Sequence, residues 1–171
     1  PIAHRLGIHY LKSELEDISL RYLKPDVYYD IVTRLNNTKK ERDSAVLEMK
    51  KMIDDILTEH SINHEIKGRS KSIYSIYNKM QNGNKKFEEI YDILALRVYV
   101  NTESECYLAL GLIHSKFKPL SNRFKDYIAM PKENMYQSLH TTIFGLNGEL
   151  YEVQIRTYEM DKIAEYGIAS H

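Results

Sequence analysis

Near the C-terminus the string Leu150-Tyr151-Glu152-Val153-Gln154-Ile155-Arg156-Thr157 places a polar residue at every second position, the period of a β-strand with one polar face. Glu152, Gln154 and Arg156 share that face, and Val153 and Ile155 point the other way. A carboxylate, an amide and a guanidinium in a row are costly to bury unpaired, so they require water, one another or a charged ligand. A solvated edge strand would satisfy them as well as a site would. A second carboxylate, Asp92, interrupts the apolar run 90–96 and stands either at the exposed start of a strand or in a site. Together the two acids have the make-up of a Mg2+ site on substrate phosphates, where the ion keeps several waters and takes only one or two protein oxygens.

Residues 67–86 carry Lys67, Arg69, Lys71, Lys79, Lys85 and Lys86 without one Asp or Glu, in a chain whose 24 basic and 24 acidic residues cancel. Such a block suits a polyanion. On the helix expected there, Ile73, Ile76, Tyr77 and Met80 mark a buried face, while Lys71, Ser75 and Lys79 recur at four-residue intervals on another. Two ammonium groups with a hydroxyl between them can track a chain of phosphates, helped by the amides of the helix N-terminus. The plain alternative is a solvated basic face. A second basic group, Arg123, Lys125 and Lys132, is interleaved with Tyr127, Asn134, Tyr136 and His140. Rings for base stacking and cations for phosphate are what a nucleotide site uses, although with 14 tyrosines in the chain a single ring is as readily a packing residue.

Other chemistries find no support. There is no Gly-rich phosphate loop, no dinucleotide-binding glycine pattern and no Cys-containing zinc motif. His60 and His64 have a metal-compatible spacing but fall at a helix end, and nothing supports a Ser-His-Asp triad. Zero formal charge argues against a surface given over to nucleic acid. The single Cys106 cannot form an internal disulfide, and neither a signal peptide nor a membrane-length apolar run is visible. A cytoplasmic setting without membrane contact is expected.

These residues need a scaffold. Residues 1–35 are helical in character, with Leu11, Leu15, Ile18 and Tyr22 at helical spacing and a break at Pro25. A second helix starts at Thr38, where Thr38 and Glu41 form a capping box, and ends near Glu59 or His60. A polar stretch runs to Gly68, followed by a helix over 70–80 and a buried strand over 90–100. A helix over 102–117, a strand over 127–130, a hairpin of 141–146 with 149–156 around Asn147-Gly148, and a last helix from Tyr158 complete the pattern. The whole reads as an α/β (α+β) fold, a mixed β-sheet flanked by helices over 61–171, preceded by helical segments 1–35 and 36–60. The start at Pro1 and the stop at His171 within a helix suggest a piece of a longer protein.

Five motifs in order then resemble the synthetase domain of RelA/SpoT-type stringent-response enzymes. They are Gly68-Arg69-Ser70-Lys71-Ser72-Ile73-Tyr74-Ser75, Tyr91-Asp92-Ile93-Leu94-Ala95-Leu96-Arg97, Arg123-Phe124-Lys125-Asp126-Tyr127-Ile128-Ala129, Pro131-Lys132-Glu133-Asn134-Met135-Tyr136-Gln137-Ser138-Leu139-His140-Thr141 and Glu152-Val153-Gln154-Ile155-Arg156-Thr157. The closing Ala164-Glu165-Tyr166-Gly167-Ile168-Ala169-Ser170-His171 is similar to that family as well. Residues 1–33, with Ala3-His4-Arg5-Leu6-Gly7-Ile8 and Glu14-Leu15-Glu16-Asp17, resemble the last helices of the hydrolase domain that precedes the synthetase in two-activity members, but the hydrolase's His-Asp metal motif is missing. The resemblance therefore implies synthetase activity and no hydrolase activity in this piece.

It also implies a nucleotidyltransferase-like fold and a reaction: the β,γ-pyrophosphate of ATP moves to the 3′-hydroxyl of GDP or GTP, releasing AMP. By resemblance, Asp92 and Glu152 hold Mg2+ on the ATP phosphates, and Glu152 also accepts the 3′-hydroxyl proton. Lys71, Ser75 and Lys79 bind the triphosphate, with Arg69 and Arg97 on the adenine faces. Tyr136 carries the guanine, with Lys132, Asn134, His140 and Gln154 near the acceptor, and Arg123 and Lys125 form the Arg-x-Lys-Asp version of a motif that is acidic in some synthetase-only relatives. Ribosome or regulatory-domain contacts would run through parts of the parent protein absent here. Two other readings are a nucleotide-binding regulatory module without catalysis and an RNA- or protein-docking fragment; the full set of polar residues weakens the first and overall neutrality the second.

Overall fold

The computed structural model describes residues 2–169. Its elements are, in order, helices α1 (Ile2–Leu23), α2 (Pro25–Leu35) and α3 (Lys39–Glu59), strand β1 (His64–Ser70), helix α4 (Ile73–Gln81), a 3-10 turn (Phe87–Glu89), β2 (Leu94–Val100), α5 (Glu103–Lys116), β3 (Lys125–Asp126), β4 (Leu139–Phe144), β5 (Leu150–Thr157) and α6 (Tyr158–Ala169). The five strands form one mixed sheet in the order β1-β2-β5-β4-β3, in which only the β2–β5 pair is parallel. The mixed sheet flanked by helices is the architecture expected from the sequence.

Local chemistry sets the boundaries. Thr38 caps α3 by accepting from the Glu41 amide at 3.1 Å, as the capping box predicts. Ser72 and Thr102 cap α4 and α5 in the same way. Pro25 separates α1 from α2 at the first position of the second helix, where its missing N–H costs nothing.

Helices α3 and α5 cover one face of the sheet. The core there combines Met49, Ile53 and Leu57 of α3, Cys106, Ala109 and Ile113 of α5, and the inward residues Leu96, Val98, Val153, Ile155, Leu139 and Ile143 of the strands. His114 of α5 hydrogen-bonds Thr141 of β4 at 2.8 Å on this side. A second, smaller core joins α1, α2 and α4 through Leu20, Ile31, Ile73, Ile76 and Ile90, with Ile93 touching both cores. The opposite face of the sheet is polar. In register across it stand Lys67, Arg97, Gln154, His140 and Lys125, one from each strand, and beside that row lie Arg69, Ala95, Glu152 and Thr142.

Four sequence expectations need correction. β5 is the middle strand of the sheet, so Glu152, Gln154 and Arg156 do not sit on a solvated edge. The polar stretch before Gly68 is strand β1, whose side toward α3 carries His64, Ile66, Gly68 and Ser70, with Ile66 the one large apolar residue among them, too little to signal a strand. The strand expected from residue 90 begins at Leu94, because Ile90 is drawn into the second core and the Ile93 carbonyl accepts from the Lys71 amide. Residues 127–130 are a turn, since Asp126 Oδ1 accepts from the amides of Ile128 and Ala129 at 3.0 and 2.9 Å and diverts the chain. Ser170 and His171 of the closing motif lie outside the described residues.

Gly68 leaves no room for a side chain between β1 and α3. A Cβ there would meet Val46 Cγ1 at 2.5 Å and Leu96 Cδ2 at 3.2 Å. Gly68→Ala should cost about 1–3 kcal/mol of stability through this overpacking, and adding Val46→Ala should return part of that loss. Urea unfolding of the single and double variants checks it; additive losses would show that the clash is absorbed elsewhere.

Candidate active site

The polar face of the sheet, the end of α4 and the loops before β2 and β4 enclose a cavity of about 390 Å³. Asp92 and Glu152 both line it, together with Lys79, Lys85, Arg123, Lys125, His140 and Gln154. Residues singled out in four separate motifs therefore share one space with Lys79 and Lys85 of the basic block. The two carboxylates lie on the same side of the sheet. A larger cavity of about 1120 Å³ between α1 and α4 is lined by Lys71, Ser75 and Lys79, so Lys79 borders both.

Asp92 links the helix to the sheet. Lys79 donates to its Oδ2 at 2.8 Å, and Lys71 Nζ lies 3.0 Å from the same oxygen. Burial by itself would raise the Asp92 carboxyl, but the bonds from Lys79 and Lys71 outweigh it and hold the group below its ordinary value. Burial pulls the Lys71 ammonium down in spite of this pairing. The helix expected from residue 70 begins at Ile73, because Ser70 ends β1 and Ser72 is the N-cap; Ser75 and Lys79 therefore stand on α4 while Lys71 lies just before it, and Ser75 Oγ accepts from Ser72 Oγ at 2.8 Å.

On β5, Gln154 Nε2 donates to Glu152 Oε1 at 3.2 Å, and His140 Nδ1 lies 3.8 Å from that oxygen. Arg97 stands beside Gln154 in register and approaches Asp161 of α6 at 3.7 Å. Arg69 lies on the same face of the neighbouring strand, opposite Ala95. Tyr136 borders the cavity through His140, its hydroxyl 2.9 Å from His140 Nε2. Its ring has Lys132 Nζ at 5.2 Å and the Arg156 guanidinium at 5.1 Å, and Tyr127 packs edge-on. Asn134 shapes this loop by accepting from the Tyr136 amide at 3.1 Å, with Met135 in the left-handed region at φ 67°. Arg123 stacks over Tyr91 at 4.5 Å, and Lys125 stands opposite His140 in the β3–β4 pair.

The donor set is hard: two carboxylates, hydroxyls and amides, in a space with room for water. That set fits Mg2+, which binds through one or two carboxylates and keeps waters or phosphate oxygens in its remaining positions. No group of three His, Cys, Asp or Glu residues among those described converges closely enough to cage an ion by itself. Thiol chemistry is remote from the site, because Cys106 is buried under the sheet with its pKa pushed up to about 12 by that burial.

The sequence family described as a region found in RelA / SpoT proteins matches residues 68–171. The chain belongs to the RelA/SpoT family. It is 50% identical over 171 residues to the GTP pyrophosphokinase of Myxococcus xanthus, covering 100% of this chain and 23% of that protein. It is also 50% identical over 171 residues to a Spiroplasma citri protein named guanosine-3′,5′-bis(diphosphate) 3′-pyrophosphohydrolase, covering 99% of this chain and 23% of that one. The chain thus spans 23% of the length of these curated relatives. The crystal structure of small alarmone synthetase 1 from Bacillus subtilis, bound to its product pppGpp, superposes with a TM-score of 0.63 at 26% identity, over 75% of this chain and 74% of that one. No helix of the described residues is long and apolar enough to cross a membrane.

Sequence reading assigned no site role to Asp161 or Tyr91, and it marked Arg156, 2% exposed, only as part of the β5 polar face and Tyr127 only as a ring beside the second basic group. For Arg156 the signal was available in its alternation with Glu152 and Gln154. For Asp161 there was none, since its partners come from β2 and β5.

His140 is pushed down from its usual 6.5 to about 4, first by burial and then by the charges of Arg156, Lys132 and Arg97. The unfolded chain takes up this proton near 6.5 and the folded chain only near 4, so folded stability falls as pH drops through that interval. His140→Gln should remove this part of the acid loss. Urea midpoints of wild type and variant between pH 4 and 7 check it, and parallel curves would contradict a neutral buried imidazole.

Proposed function

We propose that this chain is a (p)ppGpp synthetase that transfers the β,γ-pyrophosphate of ATP to the 3′-hydroxyl of GDP or GTP, the reaction of the stringent response. The observation that carries the reading is the meeting of Asp92 and Glu152 in one cavity walled by Lys79, Arg123 and Lys125. A relative bound to pppGpp and a half-identical relative named GTP pyrophosphokinase support the same substrates.

In this reading the donor lies along α4. Lys71 and Lys79 neutralise the triphosphate with Ser75 between them, and exchange Asp92 for phosphate oxygens as ATP arrives. Arg69 and Arg97 on the open sheet face flank the adenine. The acceptor guanine stacks on Tyr136, whose ring sheds its covering cation, and Lys132, Asn134, His140 and Gln154 fix the base and ribose while Arg123 and Lys125 meet its 5′-phosphates. Glu152 takes the proton of the 3′-hydroxyl; the oxygen attacks the β-phosphorus, the bond from that phosphorus to the α-phosphate oxygen breaks, and AMP leaves. Asp92 and Glu152 would hold Mg2+, which neutralises charge on the donor phosphates. Alignment and charge neutralisation supply most of the rate, as in phosphoryl transfer generally.

Residues 1–35 are assigned to the end of a preceding hydrolase domain, 36–60 to a linking helix that also packs on the sheet, and 61–171 to the synthetase. Hydrolysis of the product, and any contact with ribosome or regulatory domains, is assigned to parts of a longer cytoplasmic parent protein.

Incubation with Mg2+, ATP and GDP should yield AMP and a 3′-pyrophosphorylated guanosine, followed by chromatography; intact binding of both nucleotides without product would favour a regulatory module. Glu152→Gln should lower turnover on the order of 100-fold or more, the scale of a lost general base, with little change in GDP affinity. Tyr136→Ala should raise the acceptor KM on the order of tenfold or more, for a lost stacking contact. Wild-type turnover in Glu152→Gln would remove the base from this scheme.

A further inference from the structure

The most enclosed charge at the site belongs to a residue that the reaction scheme leaves idle. Arg156 is 2% exposed, on the middle strand. A guanidinium has five N–H donors and no acceptor, so each of its bonds has a known direction. One nitrogen, Nη2, donates to the Tyr136 hydroxyl at 2.7 Å and to Gln154 Oε1 at 2.5 Å, which uses both of its hydrogens. The other, Nη1, donates to Asp161 Oδ1 at 3.3 Å, and that oxygen is also the one facing Arg97.

Follow the two branches outward. Gln154 must turn its carbonyl to Arg156, which leaves its NH2 for Glu152 Oε1, and the 3.2 Å bond from Nε2 is there. Tyr136 accepts from Arg156, which sends its own proton to His140 Nε2 at 2.9 Å. The imidazole, neutral in this setting, then carries its proton on Nδ1, the nitrogen that faces Glu152 Oε1 at 3.8 Å. The opposite tautomer would leave the tyrosine proton without a partner and aim a bare lone pair at a carboxylate. One branch ends as a hydrogen bond from Gln154 on Glu152 Oε1, and the other turns the His140 Nδ1–H toward the same oxygen from 3.8 Å, beyond hydrogen-bond length.

We infer that Arg156, anchored by Asp161, is a positioning residue that sets the direction of the hydrogen bond from Gln154 to Glu152 Oε1 and, through Tyr136, the His140 tautomer whose Nδ1–H faces that same oxygen. The carboxylate is held by one oxygen, and its other oxygen is the one presented to the acceptor hydroxyl. The same fork fixes the tilt of the Tyr136 ring, so base and guanine platform are aligned by one buried charge. The functional part of this inference rests on the synthetase reading; the direction of the bonds does not.

Two measurements separate them. Nitrogen-15 NMR of His140 in the nucleotide-free protein should show the Nδ1–H tautomer in wild type, and a mixture or the Nε2–H form in Arg156→Met and in Tyr136→Phe, which removes the shared hydroxyl without exposing a buried charge. In the pyrophosphate-transfer assay, Tyr136→Phe should lower kcat on the order of ten- to a hundredfold, the range of a misaligned reacting group, while the KM for GDP stays within about twofold because the ring remains. Arg156→Met should lower kcat and raise the GDP KM together, with the ATP KM little changed, and Arg156→Lys should recover part of both. An Nε2–H tautomer in wild type overturns the inference whatever the activity, and should Arg156→Met fail to fold, Tyr136→Phe still decides it. A shifted tautomer with unchanged kcat in Tyr136→Phe overturns the positioning role. A wild type that binds both nucleotides but makes no product sinks the synthetase reading and leaves the tautomer result standing as the test of the network.

Discussion

A middle strand that carries Glu152, Gln154 and Arg156 on one face cannot have both faces packed with apolar side chains. Burying a carboxylate and a guanidinium without partners costs several kcal/mol each, far more than the sheet gains from any one apolar contact. The fold meets this constraint by splitting the sheet: α3 and α5 seal one side over Val153 and Ile155, and the other side becomes a polar floor whose charges answer one another across strands. The location of the cavity follows from that division. Wherever β5 lies, the polar side of β5 has to be open to a ligand or tied into a network, and here it is both.

Helix α4 is held differently. α4 shares its core with α1 and α2, and it reaches the sheet through Ile93, the Lys71 backbone and the two lysine contacts to Asp92. Two ammonium groups on one carboxylate keep Asp92 ionised and give α4 a charged tether to the loop before β2. Asp17 of α1 adds a further tie, accepting from the amides of Ile73 and Tyr74 at the start of α4. The basic groups of α4 are thus carried by one packing unit and the carboxylate floor by another, and the seam between them is where the two cavities meet at Lys79.

Much of this was legible in the residues themselves. Alternation marked β5, four-residue spacing marked Ser75 and Lys79 on one face of α4, and capping chemistry marked the start of α3. The misses share a cause. β1 is a strand because β2 pairs with it, not because of its own composition; residue 90 leaves the strand because a second core claims it; and residues 127–130 turn because one side chain, Asp126, outbids the ladder for two amides.

What the sequence determined unaided was which residue types exist and on which side of each element they fall, since periods of two and of 3.6 residues are properties of the backbone alone. Only the tertiary structure decided that β5 is central, that Asp92 and Glu152 face one space, and that the fork of Arg156 reaches Tyr136, Gln154 and Asp161 at once. Those facts depend on strand order and register. Register is settled by how whole faces bury against α3 and α5, a sum over residues far apart in the chain that no local pattern contains.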